Sequence, residues 1–410
     1  MLVWIISLVS IVAMLLRPRK IAEVWWICAG AILLLLLRLI SLPQAGHAIR
    51  QGLDVYLFLA GMMILAEMAR EEGVFDWAAT LAATHARGSS RRLFCLIYCV
   101  GIVVTALLSN DATAVVLTPA VLAVVRQAQV TPRPHLLACA FIANAASFVF
   151  PISNPANLVV FGSGIPPLLR WLAIFALPSL AAILATFVVL LWCERSELRT
   201  SVFAEPATVT LTTEGKLALG GLLMAAAALI AASALGFSLG APTCCAAVLA
   251  LTVVAFRNPR ILRSVVSGAS WSVLPLVAGL FVIVEALQGA GLLRAGLAGL
   301  SALTHAPSWQ AKGASAFVVA LASNVMNNLP VGLMSGAALR HANHPALLTH
   351  AVLLGVDLGP NLSVTGSLAT ILWLIALRRE NVEITAWEFF RVGLVAMPIA
   401  LVASLVALLS

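Results

Sequence analysis

The sequence predicts an all-α polytopic membrane protein built from two inverted-topology repeats, and three observations support this fold class. The chain has 410 residues, of which 62% are hydrophobic and 10% charged, and its mean hydropathy is +1.07. Soluble chains are about 45–50% apolar and about 25% charged. The second observation is a series of apolar segments of helical length, and the third is a polar pattern that occurs in each half. Together they predict discontinuous helices and re-entrant hairpins within roughly ten to twelve spans.

The composition excludes several other classes of protein. Long apolar runs rule out an outer-membrane barrel, whose strands alternate in polarity. The net charge is +8, but the basic residues lie in short loops between apolar runs, so we expect membrane lipid and no nucleic acid as a partner. The seven cysteines form neither a CxxC pair nor a zinc spacing, which predicts no metal site. The chain has no ATP-binding loop motif and no nucleophile–base set, so we expect neither an enzyme nor a cofactor.

The ends and the middle of the chain set the predicted domain boundaries. Residues 2–16 are apolar and have no small-residue cleavage site after them, so we interpret them as a retained span. The longest polar stretch, residues 193–215, is interpreted as a linker. It separates a first transporter half, residues 1–192, from a second half, residues 216–410.

Broken helices are predicted in each half, at residues 92–163 and 313–377. The apolar runs there are interrupted by Asn, Pro, Gly or Ser, and several are too short to cross a hydrocarbon core of ~30 Å. Non-helical backbone survives at membrane depth only where it lines a cavity or is buried in protein. These regions are therefore expected to surround the functional site.

Three polar segments of the first half recur in the second half. A fixed order of polar residues is a strong signal of duplication in so apolar a chain. The matched segments are Glu67 with Glu285, Ser109-Asn110 with Ser323-Asn324, and residues 144–157 with residues 357–370. The third match pairs Asn144 with Asp357 and Asn154 with Ser367.

Basic residues indicate how the two copies are oriented. Three arginines follow residues 53–69 in the loop at 87–92, whereas the equivalent loop at 304–312 has only one lysine and one histidine. If basic loops are cytoplasmic, the helix at 53–69 runs inward and its partner at 271–290 runs outward. This orientation predicts an inverted repeat, which many secondary transporters use.

The polar groups at membrane depth are the candidate substrate site, because such groups are costly in a bilayer. Asn, Ser and Thr offer neutral oxygens and amides to a polar solute or a dehydrated cation, and a broken helix adds a partly positive N-terminus. The alternative is hydrogen bonding between packed helices. The candidate substrate-binding residues are Ser109, Asn110, Thr113, Ser323, Asn324, Asn327 and Asn328 at the first breaks, and Ser153, Asn154, Asn157, Thr365 and Ser367 at the second.

Asp111 and Asp357 are the candidate proton carriers. Burial in a low-dielectric cavity favours the protonated form of a carboxyl group, so such a group can bind and release a proton near neutral pH. The alternative roles are a helix N-cap or an interfacial carboxylate. Glu67 and Glu285 fall near span ends and are interpreted as structural anchors. Five tryptophans are assigned to interfacial belts, Trp171 and Trp373 among them.

Four segments carry a resemblance to a known family. They are LLSNDATAVVLTPAVLAVV at 107–125, FIANAASFVFPISNPANLVVFG at 141–162, SNVMNNLP at 323–330 and GVDLGPNLSVTGSLATILWL at 355–374. They resemble the bacterial arsenite efflux pumps, the arsenical pump membrane proteins of the ion transporter superfamily, over nearly the whole chain. The family often has a basic residue and a proline after DLGP, where this chain has Asn361 and Val364.

The resemblance implies an inner-membrane permease that exports arsenite or antimonite in exchange for protons. It also implies a cytoplasmic arsenite-stimulated ATPase as a candidate partner. Arsenite near neutral pH is chiefly the uncharged trihydroxide, which suits neutral Asn, Ser and Thr groups. No Arg or Lys occurs in either group of candidate residues, which argues against a dicarboxylate. The open alternatives are a sodium/proton antiporter or an organic-anion carrier of the same superfamily, and a non-transporting membrane protein.

Overall fold

The computed structural model describes residues 1–199, 210–291, 308–341 and 346–409. Within these ranges all regular secondary structure is helical, which confirms the predicted all-α class. Residues 200–209 of the predicted linker and residues 342–345 of the second broken region lie outside the described residues.

The helices of the first half are α1 to α11. They are Leu2–Leu16, Glu23–Leu36, Leu42–Gln51, Leu53–Glu71, Val74–His85, Ser90–Leu107, Asn110–Ala112, Thr118–Gln127, Pro132–Ala145, Pro155–Phe161 and Leu168–Cys193. A π-helical segment, Thr113–Leu117, joins α7 to α8. A 3₁₀ turn, Pro151–Ser153, precedes α10.

The helices of the second half are α12 to α20. They are Thr213–Ala234, Gly240–Ala255, Arg260–Gly268, Val273–Gly289, Ser308–Met326, Asn328–His341, Ala346–Leu358, Leu368–Arg379 and Ala386–Leu409. Their order repeats that of the first half: α14–α15 match α3–α4, α16–α17 match α6–α8, α18–α19 match α9–α10, and α20 matches α11. The 3₁₀ turn Val364–Gly366 precedes α19 as Pro151–Ser153 precedes α10.

Matching helices run antiparallel, which confirms the inverted repeat. The ring of Tyr56, early in α4, packs edge-on against that of Phe281 with centroids 6.0 Å apart. Glu67, late in α4, lies against Gly268, which precedes Phe281 in the chain. Later residues of α4 therefore contact earlier residues of the second half, so α4 runs antiparallel to the joined helices α14 and α15.

The pair α11 and α20 has the same antiparallel geometry. Ser404, late in α20, donates a hydrogen bond to the carbonyl of Pro178 in α11 over 3.0 Å. Arg133 lies 3.2 Å from Glu194, at the end of α11, and 3.9 Å from Glu388, at the start of α20.

The first broken helix of each half is a re-entrant hairpin. His135, at the start of α9, hydrogen-bonds the carbonyl of Ser90 at the start of α6, and Gly101 faces Ile142 further along both helices. Helices α6 and α9 are therefore parallel. Only a short loop joins α8 to α9, so α8 returns to the face of the membrane from which α6 began. In the second half α16 and α18 are parallel too, because Gly355 packs on Ala316 and Gly359, just after α18, packs on Ala320.

Long apolar helices and an apolar outer surface fit a bilayer. In the described part of the chain, five helices or joined helices are long and apolar enough to cross a membrane, and the bent pair α3–α4 would make a sixth. These five are Ser90–Leu107, Leu168–Cys193, Thr213–Ala234, Arg260–Gly289 and Ala386–Leu409. Side chains such as Leu169, Val188 and Val406 are exposed on the outside. The broken helices fail this length test individually, so a total of roughly ten to twelve spans stays a prediction.

The assignment of Trp171 and Trp373 to interfacial belts is wrong. Both indoles are fully buried, and their N–H groups donate to the carbonyls of Phe148 and Leu136, each over 3.1 Å. Each tryptophan thus binds the broken helix α9 or the turn that follows it, because a buried indole N–H needs a partner.

Candidate functional site

The second breaks of the two halves meet through a symmetric set of hydrogen bonds. Asn154 donates to Oδ1 of Asp357 over 2.8 Å, and Ser367 donates to Oδ1 of Asn144 over 3.4 Å. Because Asn154 matches Ser367 and Asn144 matches Asp357 in the repeat, these two bonds are copies of one contact. Asn144 also donates to Asn361 over 3.0 Å. The pseudo-twofold axis therefore passes through this cluster.

Local sequence explains why the chain breaks here. Pro151 and Pro155 have no backbone N–H, and each favours a helix start. Asn154 caps α10 by accepting from the N–H of Ala156, and Ser367 caps α19 by accepting from the N–H of Thr370. Both new helices consequently start near the axis, where they direct their positive N-terminal ends.

The hairpin tips correct one alignment made from the sequence. Ser109 caps α7 by accepting from the N–H of Ala112, and Asn327 caps α17 by accepting from the N–H of Leu329. Asn327, with a left-handed φ of 72°, is therefore the counterpart of Ser109. The match of Ser109 with Ser323 is one helical turn out of register, because Ser and Asn both cap helices and the capping residue differs between the halves.

A central cavity of about 30 Å³ lies where the four breaks converge. Matching positions of the two halves line it, since Asn110 faces it with Asn328, and Asn154 with Ser367. Asp111 adds the one carboxylate of its lining within the described residues. The remaining lining residues are apolar, so the cavity offers amide, hydroxyl and carboxyl groups within an otherwise apolar wall.

A second cavity of about 600 Å³ adjoins the central cavity. The ends of α4 and α19 line it with charged groups, and Asp111 lines both cavities. Its charged lining residues besides Asp111 are Glu67, Arg70, Arg379 and Glu380. Because Arg379 and Glu380 are exposed, this cavity reaches the protein surface, and Asp111 lies at its inner end.

Six of the fourteen residues predicted for the site line these cavities. They are Ser109, Asn110, Asp111, Asn154, Asn328 and Ser367. The other eight are held by hydrogen bonds in the surrounding structure or stand behind the lining residues.

In the first half, Thr113, Ser153 and Asn157 brace the backbone. Thr113 shares a 2.7 Å hydrogen bond with Thr105, and Ser153 donates to the carbonyl of Ala106 over 3.0 Å. The amide of Asn157 donates to the carbonyl of Ser147 over 3.0 Å and to those of two further residues of the turn. These contacts stabilise the non-helical backbone at the breaks, and neighbouring residues line the cavity instead.

In the second half, Asn324 and Thr365 join the hairpin to the turn before α19. The amide of Asn324 donates to the carbonyl of Gly359 over 2.9 Å, and its oxygen accepts from Ser363 over 2.6 Å. Thr365 donates to the carbonyl of Asn324 over 2.9 Å.

The other two second-half residues are satisfied by backbone groups. Ser323 donates to the carbonyl of Val319 inside α16, over 2.9 Å. The amide of Asn327 donates to the carbonyl of Thr365 over 3.4 Å.

The two candidate proton carriers have different surroundings. Asp111 is partly exposed to the cavities, and its carboxylate has no hydrogen-bond partner among the residues the structure describes. Asp357 is fully buried behind Asn154, and its Oδ2 has no geometric hydrogen-bond partner in the described part of the chain. Asp111 is therefore accessible from the large cavity, whereas the polar cluster on the axis separates Asp357 from both cavities.

Charged residues of the large cavity were missed by the sequence prediction. Arg70 pairs with Glu67 one helical turn earlier, so the anchor assigned to Glu67 is part of a cavity wall. Arg379 also lines this cavity, so basic groups lie near the candidate site although none belongs to either group of candidate residues. The spacing of Glu67 and Arg70 on one helix face was the available signal. Within the described residues, no three His, Cys, Asp or Glu side chains form a metal cluster.

Comparisons with known proteins agree with this architecture. A family model described as citrate transporter (CitMHS) matches residues 2–355. An arsenical pump membrane protein of Escherichia coli is 28% identical, over 98% of this chain and 97% of that protein. One from Yersinia enterocolitica is 27% identical over the same shares. An uncharacterised transporter of Mycobacterium tuberculosis is 29% identical, over 87% of this chain and 85% of its own length.

A solved structure supports the fold independently. The Alcanivorax borkumensis YdaH transporter, whose topology is described as unusual, superposes with a TM-score of 0.56 at 15% identity, covering 89% of this chain and 86% of that one. The resemblance to the arsenical pump membrane proteins is confirmed by the curated relatives. Because the family model spans most of the sequence, the chain belongs to the citrate transporter family and is a multi-pass membrane transporter.

Proposed function

We propose that this protein is a secondary active transporter that exports arsenite or antimonite across the cytoplasmic membrane in exchange for protons. The observation that carries the proposal is the central cavity on the pseudo-twofold axis. Its polar lining is neutral except for Asp111, and about 30 Å³ holds only a solute of a few heavy atoms. A small neutral trihydroxide can donate to and accept from Asn110, Asn154 and Asn328.

The distribution of basic residues supports the direction of transport. Arg126, at the end of α8, pairs with Glu380 just after α19 over 3.1 Å, which places the ends of both helices on the face where α4 ends. Most arginines at helix ends lie on this face. They are Arg91, Arg92, Arg126, Arg133, Arg257, Arg260, Arg263, Arg378 and Arg379, against Arg38, Arg50, Arg170 and Arg340 on the other. By the positive-inside rule the large cavity opens to the cytoplasm, where an exporter takes up its substrate.

Asp111 is the group that we propose exchanges the coupling proton. It lies between the two cavities, so a substrate that enters the central cavity must pass it. Solute hydroxyl groups that donate to the carboxylate favour its anionic form, so solute binding from the cytoplasm releases the proton there. Protonation of Asp111 from the opposite side then favours release of the solute. Asp357 would provide a second titrating position behind Asn154.

Arsenite uptake into inverted membrane vesicles tests the proposal. Inverted vesicles turn cellular export into uptake, so an imposed pH gradient, acid inside and without ATP, is expected to drive accumulation. A protonophore should abolish that accumulation. Functional protein that accumulates no arsenite, even after a candidate arsenite-stimulated ATPase is added, would contradict both the substrate and the partner.

A second candidate function is an organic-anion carrier, with sodium or protons as the coupling ion. Arg70 and Arg379 in the wall of the large cavity favour it, and so does the description of the matching family model. Citrate uptake and its dependence on sodium, measured in the same vesicles, separate the two functions. Sodium-dependent citrate transport without arsenite transport would support this second reading.

A further inference from the structure

A third cavity, of about 400 Å³, lies on the membrane face opposite the large cavity. It is lined by the loop between α10 and α11, by the start of α11, by the end of α17 and by α18. Its titratable lining residues are Arg170, Arg340 and His350. All three are basic side chains, although the cavity lies opposite the face where α4 ends, which has most of the arginines at helix ends.

Among the described residues, no carboxylate neutralises the cations around this cavity. Lys312, which is buried, and Arg170 both act electrostatically on His350. Arg340 donates to the carbonyl of Val160 over 3.4 Å, and no described carboxylate forms an ion pair with any of these cations. The second-half residues that line the cavity belong to a stretch of sequence, residues 286–356, that contains neither aspartate nor glutamate.

His350 supplies an unpartnered polar group at the cavity wall. The residue is only 7% exposed, and its buried Nδ1 has no hydrogen-bond partner among the residues that the structure describes. The rings of Phe161 and Phe175 pack on the imidazole, with centroids 6.2 Å and 5.4 Å away. A buried polar atom without a partner indicates a place for an acceptor or donor from a ligand or water.

The duplication does not account for this cavity. The positions that match Arg170, Arg340 and His350 in the other half carry Glu388, Leu122 and Leu137. Leu122 and Leu137 are buried in the apolar core. The basic cavity is therefore specific to one face of the molecule and separate from the substrate pathway on the axis.

We propose that this cavity is an anion site for a phosphate-type oxyanion, held by Arg170 and Arg340 with His350 at its inner wall. Guanidinium groups bind phosphate oxygens through paired N–H donors. Binding of an anion is most favourable where the cations have no carboxylate partner. The cavity is large enough for inorganic phosphate or for the phosphate of a lipid head group, and both present the same oxygens.

Titration of the purified full-length protein with inorganic phosphate tests the site. In a non-ionic detergent, phosphate is expected to raise the midpoint of thermal unfolding in a saturable way that chloride at equal ionic strength does not reproduce. Retention of phosphatidylglycerol over phosphatidylcholine, measured by native mass spectrometry, distinguishes a lipid head group from the free ion.

Three variants decide the assignment. The Arg170→Gln/Arg340→Gln double variant should bind the phosphate ligand at least about tenfold more weakly, because charge-assisted hydrogen bonds are lost. If the double variant misfolds, Arg340→Lys is measured in its place. This variant keeps the charge and should retain most of the phosphate binding. The control Arg50→Gln removes an exposed arginine of the same face outside the cavity and should change nothing. Equal binding by the double variant and the wild type, or no saturable binding of either probe, would overturn the proposal.

Discussion

Asp111 is the one carboxylate, among the described residues, that lines both the central and the large cavity. Because it has no hydrogen-bond partner there, replacing it should change chemistry more than stability. Asp111→Asn is expected to abolish pH-driven uptake in inverted vesicles while the free energy of unfolding changes by less than about 0.5 kcal/mol. Asp76→Asn, at an exposed position of α5, is the matched control. Normal pH-dependent flux in Asp111→Asn would remove this residue from the coupling mechanism.

The hydrogen bond from Asn154 to Oδ1 of Asp357, at 2.8 Å, is shorter than the other side-chain bonds that join the halves in the cluster on the axis. In Asn154→Ala this oxygen of the buried carboxyl group loses its partner. This should lower the free energy of unfolding by about 1–3 kcal/mol, measured by denaturant titration in mixed micelles.

A double-mutant cycle isolates that bond. If it is real, Asn154→Ala should destabilise an Asp357→Leu background much less than the wild type, because the orphaned carboxyl group is then absent. Equal losses in both backgrounds would show that Asn154 acts only as the cap of α10.

At the scale of the elements, the two hairpin tips form a natural comparison. Ser109 and Asn327 both cap the helix that follows, but only Asn327 has a left-handed φ. Both alanine substitutions lose a cap, and Asn327→Ala must also hold an unfavourable backbone conformation. We expect Asn327→Ala to lower the free energy of unfolding by about 1 kcal/mol more than Ser109→Ala does.

Glycine provides the control at the same position. Asn327→Gly loses the side-chain cap but adopts positive φ without strain, so it should recover most of the difference. The measurement is the same denaturant titration for all three variants. Identical stabilities of Asn327→Ala and Asn327→Gly would contradict the conformation of this tip.

Helix breaks were predictable from the sequence, but the contacts of each break were not. Asn154 and Ser367 were found because both lie after prolines or glycines in segments that align without a gap. Asn324 was expected in the substrate site, yet its amide is used by Gly359 and Ser363, since a sequence gives no direction for a side chain. Arg379 was missed because it reaches the cavity from the far end of α19, which only the three-dimensional arrangement shows.

For the whole molecule, the fold predicts which helix ends lie on the same face of the membrane. Arg91 at the start of α6 and Arg50 at the end of α3 should lie on opposite faces of the membrane. In a background without the seven native cysteines, an impermeant maleimide added to intact cells should label Arg50→Cys and not Arg91→Cys.

Inverted vesicles should give the reverse labelling pattern. Labelling of both positions from one side would contradict the membrane crossing of α4 between them. Labelling of Arg91→Cys alone in intact cells would keep this crossing but reverse the orientation inferred from the arginines.

The repeat also explains why the inversion could be predicted at all. Matching loops of the two halves lie on opposite faces of the membrane and therefore differ in their content of basic residues. The orientation of each half can consequently be inferred from the sequence of its loops. The register of the hairpins was lost because the polar residues there diverged, with Asn327 replacing Ser109 at the cap.

The unequal placement of the two aspartates has an energetic consequence. In two antiparallel halves of identical sequence, the conformations open to each side would be related by the twofold axis and equal in energy. Asp111 matches Leu329 in the repeat, and Asp357 matches Asn144, so each carboxyl group exists in one half only. On the proposed coupling, protonation therefore changes the energies of the two conformations unequally, and a chain with amides at both places would lose that dependence on pH.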